Sequence, residues 1–194
     1  TPKPSSAASD VYKRQIENLD THLKMQDSVV TLSPLKFGVA GGTMIGDIKL
    51  DGRNNIIKAE AKVSARHLKL KQLFPTFQPM QASFGEVNGD TSLSGTGNSI
   101  ASLLATSNGE IKSLINEGTI SKLLLEQIGL NIGNIVISKL FGDKQVHLNC
   151  MATDLSVTNG LVQTHTFIVD TDDAVMYITG TCLLYTSDAA DEGL

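Results

Sequence analysis

The chain has 194 residues, 41% of them hydrophobic, and a mean hydropathy of +0.01, which indicates a globular rather than a disordered chain and allows one domain with a core. Aromatic residues make up only 5% and tryptophan is absent, so the core must be aliphatic. A net charge of -4 without a basic stripe argues against nucleic acid as a partner. No apolar run reaches about 18 residues, and Cys150 and Cys182 lack metal-binding or disulfide-framework spacing.

The two ends of the chain differ in pattern from the rest. Thr1–Gln15 and Cys182–Leu194 show no periodicity, and they resemble translated sequencing-adaptor read-through at the ends of reading frames assembled from environmental (metagenomic) DNA. We expect both to be non-native tails and Ile16–Thr181 to be a fragment of a longer protein. The alternative is an ordinary polar tail at each end, and continuous coding sequence through either junction in the raw reads would support it.

The first half of the chain alternates apolar and polar residues with period two. This alternation predicts a four-stranded antiparallel meander with one apolar and one polar face. Turn signals at Gln26–Ser28, Gly41–Gly42 and Asp51–Asn55 separate the strands. The predicted strands are Leu19–Met25, Val30–Val39, Met44–Leu50 and Ile57–Ala65.

The middle of the chain contains shorter signals. Leu68–Phe74 has helical spacing and is stopped by Pro75. Val87–Gly97 is strand-like but rich in glycine, and either Asn98 or Ser99 can cap a short helix. The remaining predictions here are a loop at Thr76–Ser83, the end of that short helix at Leu104 and a strand at Gly109–Asn116.

Helical spacing extends over more than two turns in one place, Gly118–Phe141. Its apolar stripe predicts a helix from Ile120 to Phe141 that packs on a sheet, because an amphipathic helix must bury its apolar side. Gly129 and Gly133 each cost about 1 kcal/mol relative to alanine, so this helix is either long or broken in two. The stripe consists of Ile120, Leu124, Ile128, Ile132, Ile135, Val136 and Leu140.

The last third returns to strand patterns. Val146–Ala152, Leu161–Asp170 and Ala174–Gly180 alternate, and Thr158–Gly160 contains the Asn-Gly pair typical of a tight hairpin. The predicted fold class is therefore α+β and mostly β. It consists of a curved antiparallel sheet of two meanders, with one long or broken amphipathic helix packed on it or capping it.

Two polar segments invite a chemical interpretation. Gly95–Ser99 resembles a phosphate loop, but it lacks the lysine and the long following helix, so we interpret it as a strand-to-helix turn. Asp170, Asp172 and Asp173 resemble a loose calcium loop. Without the Asp-x-Asp-x-Asp-Gly frame, a simple turn is favoured over a cation site.

Histidine and cysteine residues give two further candidates. His147 and His165 could face each other across a hairpin and bind a metal, but two ligands make no closed site. Cys150 with His147 suggests a nucleophile pair, as in a cysteine hydrolase. Alternation, however, places Cys150 on the face of Val146 and Leu148 and turns His147 away, which favours a buried structural thiol. We expect no enzyme, no metal and no cofactor.

Short motifs across Ile16–Thr181 resemble, in order and spacing, the region toward the C-terminal end of the AsmA family of bacterial envelope proteins. The sequence departs from that pattern at the polar Asn116–Gly118 and at Asn131 and Asn134. The motifs are Val30–Leu35, Phe37–Gly42, Gly46–Gly52, Ala65–Leu70, Leu93–Ser99, Ser107–Ile111, Gly118–Ser121, Leu124–Glu126, Leu148–Cys150 and Val169–Thr171.

The resemblance implies a periplasmic protein held in the inner membrane of a Gram-negative-type bacterium by an N-terminal helix, which we expect outside this fragment. It also implies a role in outer-membrane assembly and lipid homeostasis, with phospholipid acyl chains and other envelope proteins as partners. Some relatives form long β-grooves associated with the passage of phospholipid chains between membranes. The family supplies no catalytic residues to carry over.

We therefore expect a non-enzymatic envelope module that takes part in phospholipid transport or homeostasis. The alternative is a structural or protein-interaction domain without lipid cargo, in which the apolar face is fully covered. An open apolar trough favours the first and a filled core favours the second. The residues expected to contact lipid are Leu32, Phe37, Met44, Ile48, Val63, Val146 and Leu148.

Overall fold

The computed structural model describes residues 16–73, 84–120, 146–172 and 174–185, and ten β-strands in these ranges form one antiparallel sheet. Strands β1 to β8 lie side by side in chain order, and both β9 and β10 pair with β8. The sheet is open and curved. The strands are β1 (Glu17–Gln26), β2 (Val29–Val39), β3 (Gly42–Asp51), β4 (Lys58–Lys69), β5 (Phe84–Thr96), β6 (Asn108–Ile120), β7 (Val146–Thr158), β8 (Leu161–Thr171), β9 (Val175–Tyr177) and β10 (Thr181–Leu183).

Two short helices accompany these strands. Helix α1 (Leu70–Leu73) follows β4 directly, and helix α2 (Ile100–Ala105) connects β5 to β6. Ser99 caps α2 as predicted, because its hydroxyl accepts a hydrogen bond from the Ser102 backbone N–H at 3.1 Å. The Ser102 hydroxyl in turn accepts from the Ser99 backbone N–H at 3.0 Å, which completes a capping box.

Three hairpins turn through two residues that both have positive φ, the geometry that matches the right-handed twist of paired strands. The predicted Asn159–Gly160 turn is confirmed, with φ of 48° and 74°. The turn between β1 and β2 has φ of 51° and 61° at Asp27 and Ser28. The turn between β2 and β3 occupies 40–41, one residue before the predicted glycine pair.

Alternation along the strands gives the sheet an apolar face and a polar face. Residues paired across neighbouring strands share a face, so the registers fix the membership of each face. The polar face carries most of the charged side chains of β3 to β7 and part of their hydroxyl side chains. The apolar face contains Thr21, Leu23 and Met25 of β1; Val30, Leu32, Leu35, Phe37 and Val39 of β2; Met44, Ile48 and Leu50 of β3; Ala59, Ala61, Val63, Ala65 and Leu68 of β4; Val87, Gly89, Thr91, Leu93 and Gly95 of β5; Ile111, Ser113 and Ile115 of β6; Val146, Leu148, Met151, Thr153, Leu155 and Val157 of β7; and Val162, Phe167 and Val169 of β8.

Bulges interrupt the registers near one end of the central strands. His67 in β4 and Glu117 in β6 have φ of 57° and 45°, and the register shifts beside each of them. A third shift separates Leu148 from Cys150 in the pairing of β7 with β8. Because a bulge bends its strand and increases the local twist, these three irregularities lie where the sheet changes direction.

The buried core lies at this bulged end, on the apolar face. Leu148 is completely inaccessible, and the side chains packed with it come from α1, β6, β7 and β8. Apolar residues of β5, β7, β8 and β9 pack around them and are partly buried. The buried members are Leu70, Ile115, Val146, Leu148 and Val169.

The predicted long helix is wrong where the structure describes it. Gly118, Thr119 and Ile120 belong to β6, and they pair with Leu148, His147 and Val146 of β7. Backbone pairing with β7 satisfies their N–H and C=O groups, which outweighs the helical spacing of the side chains. Residues 121–145, which contain the rest of the predicted helix, lie outside the described residues, and so does the predicted loop at 76–83.

The two predicted meanders are a single sheet. Strand β6 pairs with both β5 and β7, so it joins the strands before and after it without a break. The mostly β, antiparallel character of the fold is thereby confirmed. The described residues contain helices of only four and six residues.

Candidate functional site

The seven predicted contact residues lie on the apolar face, in two separate places. Leu32 of β2 is paired with Ile48 of β3, and Phe37 of β2 with Met44 of β3. Val63 continues the same surface on β4, opposite the glycine that lies between Met44 and Ile48. These five residues form one patch, which we call the open patch.

The open patch is accessible although it lies on strands with neighbours on both sides. All five of its side chains are half-buried. Beside it, at the edge of the sheet, Leu23 and Met25 of β1 are 59% and 70% exposed. An accessible apolar surface of this kind is a candidate site for a ligand or another protein.

Val146 and Leu148 lie apart from the open patch. They belong to the buried core, and their exposed fractions are 4% and 0%. The side chain of Leu70 from α1 packs into the same cluster. A ligand could reach these two residues only by displacing that packing.

Small residues occupy the middle of the apolar face, between the open patch and the core. They leave a shallow strip along β4 and β5, because an alanine or glycine projects less than the leucine and isoleucine side chains on either side. The sequence signal was available in the alternating alanines of β4, Lys-Ala-Glu-Ala-Lys-Val-Ser-Ala, although the strand prediction gave them no role. The strip consists of Ala59, Ala61, Ala65 and Gly89.

The polar face is organised as matched charges across strands. Arg66 Nη2 of β4 donates to Asp90 Oδ1 of β5 at 2.8 Å, and Ser64 Oγ donates to the same oxygen at 2.6 Å. The hydrogen bond from Arg66, followed by that from Ser64, lowers the pKa of the Asp90 carboxyl. A second pair, Lys58 with Glu60 at 2.7 Å, lies along β4 rather than across strands. These exposed pairs lie on the side of the sheet that faces water, and the apolar side chains lie on the other side.

The two histidines considered as metal ligands, His147 and His165, are not brought together. His147 Nδ1 lies 3.5 Å from Asp172 Oδ1 at one end of β7, and His165 Nε2 lies 2.8 Å from the Ser156 hydroxyl near the other end. The rise along a strand puts roughly 26 Å between His147 and the residues of β7 that face His165. Within the described ranges, no group of three or more His, Cys, Asp or Glu side chains could hold a metal ion.

The predicted position of Cys150 is wrong. Its cross-strand partners are Asn116 of β6 and Asp170 of β8, which puts the thiol on the polar face. The cause is the bulge after Leu148, since one unpaired residue reverses the alternation and places Met151 on the apolar face. Cys150 is half-buried and is a free thiol.

The glycine-rich segment 95–99 is a strand-to-helix turn, as predicted. Gly97 N–H donates to the Ile57 carbonyl at 2.9 Å, and the Asn98 side chain accepts from the Ile57 N–H at 3.2 Å. The Asn98 amide also donates to the Asn55 carbonyl at 3.0 Å. These groups are therefore already used to close the end of the β3–β4 hairpin.

The aspartate-rich segment forms part of a turn after β8. Thr171 Oγ1 donates to the Ala174 carbonyl at 2.8 Å and accepts from the Ala174 N–H at 3.0 Å. Asp170 belongs to β8, and the Asp172 N–H donates to the His147 carbonyl at 3.4 Å. Asp173 lies outside the described residues.

None of the helices in the described part of the chain has the length and apolar character needed to cross a membrane. Strand β10 includes Cys182 and Leu183, residues assigned from sequence to the second tail, and pairs them with Val162 and Leu161 of β8. The non-native origin of both ends stays a prediction.

Comparison with known proteins identifies the family. Residues 10–167 match the model of the AsmA family. The chain is also 43% identical over 166 residues to AsmA family protein YhjG of Escherichia coli (strain K12), an alignment that covers 86% of this chain and 24% of that relative. The chain thus spans about a quarter of the length of this curated relative, and no solved structure matches it significantly. Together, the family model and this relative show that the chain belongs to the AsmA family.

Proposed function

We propose that the apolar face of this chain binds the acyl chains of phospholipids. The chain would act as a non-enzymatic, periplasmic module of a longer protein anchored in the inner membrane, one that serves outer-membrane assembly and phospholipid transport or homeostasis between the two membranes. Membership of the AsmA family supports a role in envelope biogenesis and lipid homeostasis at the level of the family. The observation that supports the binding of acyl chains is the open patch, an accessible apolar surface on interior strands of the sheet.

The physical basis is removal of apolar surface from water. Each square ångström of apolar surface that a bound chain covers contributes about 25 cal/mol. An acyl chain has no polar group that would need a partner, so a face built from aliphatic side chains is sufficient for it. The register Leu32–Ile48–Ala61–Leu93 continues this surface over four strands, a width of roughly 14 Å at the usual strand spacing.

Two isoleucines of the same strand provide a matched test. Ile48 lies on the open patch, whereas Ile45 lies on the polar face and is 43% exposed. We expect lipid extraction and mass spectrometry of the purified chain to detect phospholipid. Ile48→Asp should reduce the amount by about tenfold or more, because a carboxylate in contact with an acyl chain costs several kcal/mol. Ile45→Asp should leave the amount unchanged.

Thermal unfolding of both variants shows whether each remains folded before the lipid is counted. Equal lipid in the two variants would contradict the proposal, as would the absence of lipid from the wild-type chain together with no transfer between vesicles. That second result would favour a structural or protein-interaction domain without lipid cargo. The buried core around Leu148 is the observation that supports this alternative, because it shows that part of the face is already covered.

The proposal contains no catalytic step. Cys150 is the residue on which an enzymatic alternative would depend, and it lies on the polar face, opposite Asn116 and Asp170. Hydrolysis of an ester substrate by the purified chain, abolished by Cys150→Ala, would replace the binding function with an enzymatic one.

A further inference from the structure

Three hydroxyl side chains lie on the apolar face of the interior strands β5 to β7. Ser113 of β6 pairs directly with Thr153 of β7, and the Ser113 Oγ and Thr153 Oγ1 atoms are 2.8 Å apart. Thr91 of β5 lies on the same face, and its Oγ1 donates to the Glu110 carbonyl at 3.0 Å. A polar group on an apolar face costs free energy unless it has a partner. The partners of these hydroxyls therefore decide what they can still bind.

Ser113 and Thr153 together keep one hydroxyl hydrogen available. Each hydroxyl has one O–H donor, and the bond between the two uses only one of the two donors. Neither hydroxyl has another hydrogen-bond partner within the described ranges. Thr91 differs, because its one O–H is already donated to a backbone carbonyl. The Ser113–Thr153 pair can thus donate one hydrogen bond to a ligand, whereas Thr91 cannot.

One row of paired residues leads from the open patch to this hydroxyl pair. Met44 of the open patch pairs with Ala65 of β4, and Ala65 pairs with Gly89 of β5. Gly89 in turn pairs with Ser113. Three strand spacings separate Met44 from Ser113, a distance of roughly 14 Å. The row crosses the strands, so one extended chain lying along it contacts both the open patch and the hydroxyl pair.

Small side chains make this row the floor of a shallow groove. A Cβ atom at Gly89 would lie 3.5 Å from the Ser113 Cβ, so glycine leaves that side of the hydroxyl pair uncovered. The members of the row on β4 to β7 are only half-buried, so a ligand can reach them. The residues that border the floor are Val63, Thr91 and Ile111 on one side and Leu68, Val87 and Ile115 on the other.

We propose that the hydroxyl pair binds the ester carbonyl of an acyl chain whose hydrocarbon part lies in this groove and reaches the open patch. This inference rests on the proposed function and names the group of the lipid that is recognised. An ester carbonyl accepts hydrogen bonds and donates none, so it matches a pair with one remaining donor. An alkyl ether lacks that carbonyl. Ser113 and Thr153 therefore determine the specificity of the groove for acyl esters.

Competition between an ester lipid and its ether analogue tests this inference. The purified full chain is incubated with vesicles that contain equal amounts of dioleoyl phosphatidylglycerol and its dioleyl ether analogue, and the bound lipids are counted by mass spectrometry. We expect the wild-type chain to retain the ester over the ether by about fivefold, the effect of one hydrogen bond. The double variant Ser113→Ala, Thr153→Val should retain both equally. Both residues are replaced together, because either hydroxyl alone still has a donor.

Thr91→Val is the matched control, because it removes a hydroxyl of the same face whose donor is already used. This variant should keep the preference of the wild-type chain, and unchanged uptake of the ether lipid shows that the double variant is folded. Equal retention of both lipids by the wild-type chain would overturn this inference and leave the acyl-chain proposal standing. A preference that survives in the double variant would do the same. A wild-type chain that retains neither lipid would overturn both.

Infrared spectroscopy gives a second readout that needs no variant. A carbonyl that accepts a hydrogen bond absorbs at a lower frequency than one in dry hydrocarbon. The ester lipid is therefore isotope-labelled at its carbonyl groups and measured in complex with the wild-type chain. We expect part of the labelled band to lie at lower frequency than for the same lipid in a hydrocarbon solvent. A bound lipid whose labelled band is not lowered would contradict the contact with Ser113 and Thr153.

Discussion

Two parts of the same apolar face differ in how deeply their side chains are buried. On β2 to β4 the side chains of the open patch are half-buried. On β6 to β8 the apolar side chains are buried, and Leu148 and Ile115 are 0% and 3% exposed. Both parts arise from the same period-two alternation of apolar residues. Alternation therefore determines which face is apolar, and neighbouring elements determine whether that face is covered.

Short elements of the fold cover the buried apolar side chains around Leu148. Leu70 of α1 packs into the core with Ile115, and Met176 of β9, which pairs with Val169, packs against the same cluster. The bulges at His67 and Glu117 bend β4 and β6 at the same end of the sheet. A few residues outside the regular strands are thus enough to convert an accessible apolar surface into a core.

The largest expected effect comes from truncating one leucine in each part. Leu148→Ala should lower the free energy of unfolding by about 3 kcal/mol, because it loses transfer free energy and leaves a cavity in a closed core. Leu32→Ala, on the open patch, should cost about 1 kcal/mol, since its side chain is only half-buried and solvent fills the space. Urea denaturation of the two variants measures the difference. Equal losses would mean that the open patch is covered as well as the core.

The sequence was sufficient to predict most of the strands and the face to which most of their apolar residues belong. All seven candidate residues lie on the apolar face, because strict alternation leaves little choice of side. The Asn159–Gly160 turn was equally predictable, since few other residue pairs adopt positive φ at both positions. The open and covered parts could not be distinguished, because the cover of Leu148 depends on Leu70, which lies far away in the sequence.

The two errors have local causes that a pattern of apolar residues does not record. Ile120 fits a helical stripe, but the pairing of β6 with β7 extends through it. Cys150 fits the alternation from Leu148, but a bulge between them reverses the side on which it lies. Both errors fall at the bulged end of the sheet, where a single extra residue changes the register.

An intermediate effect is expected where α2 approaches the apolar face. A Cβ atom at Gly95 would lie 2.4 Å from the backbone carbonyl oxygen of Leu103 in α2, so neither group can move away cheaply. Gly95→Ala should therefore lower the free energy of unfolding by about 2 kcal/mol. Gly180→Ala is the matched control, because a Cβ there has no atom within 4 Å and the change should stay within about 0.5 kcal/mol. Thermal or urea unfolding that gave the same result for both variants would show that α2 does not press on the sheet.

The smallest expected effect concerns an ion pair in the hairpin between β3 and β4, two of the strands that carry the open patch. Arg53 Nε donates to Asp51 Oδ1 at 2.9 Å, and this side-chain hydrogen bond, followed by one from the Arg53 backbone N–H at 3.2 Å, lowers the pKa of Asp51 to about 2. Because the pKa is lower in the folded chain than in the unfolded one, the pair stabilises the hairpin above the ordinary pKa of an aspartate. This contribution is lost as the pH falls toward 2.

An NMR titration of the Asp51 carboxyl carbon should therefore give a midpoint near 2 in the wild-type chain. Arg53→Ala should raise that midpoint toward the usual range of an aspartate. Lys49→Ala should raise it much less, because Lys49 acts on Asp51 only through the weakest of the contributing charge interactions. A midpoint that Arg53→Ala leaves unchanged would show that the hairpin loop does not hold this pair in solution.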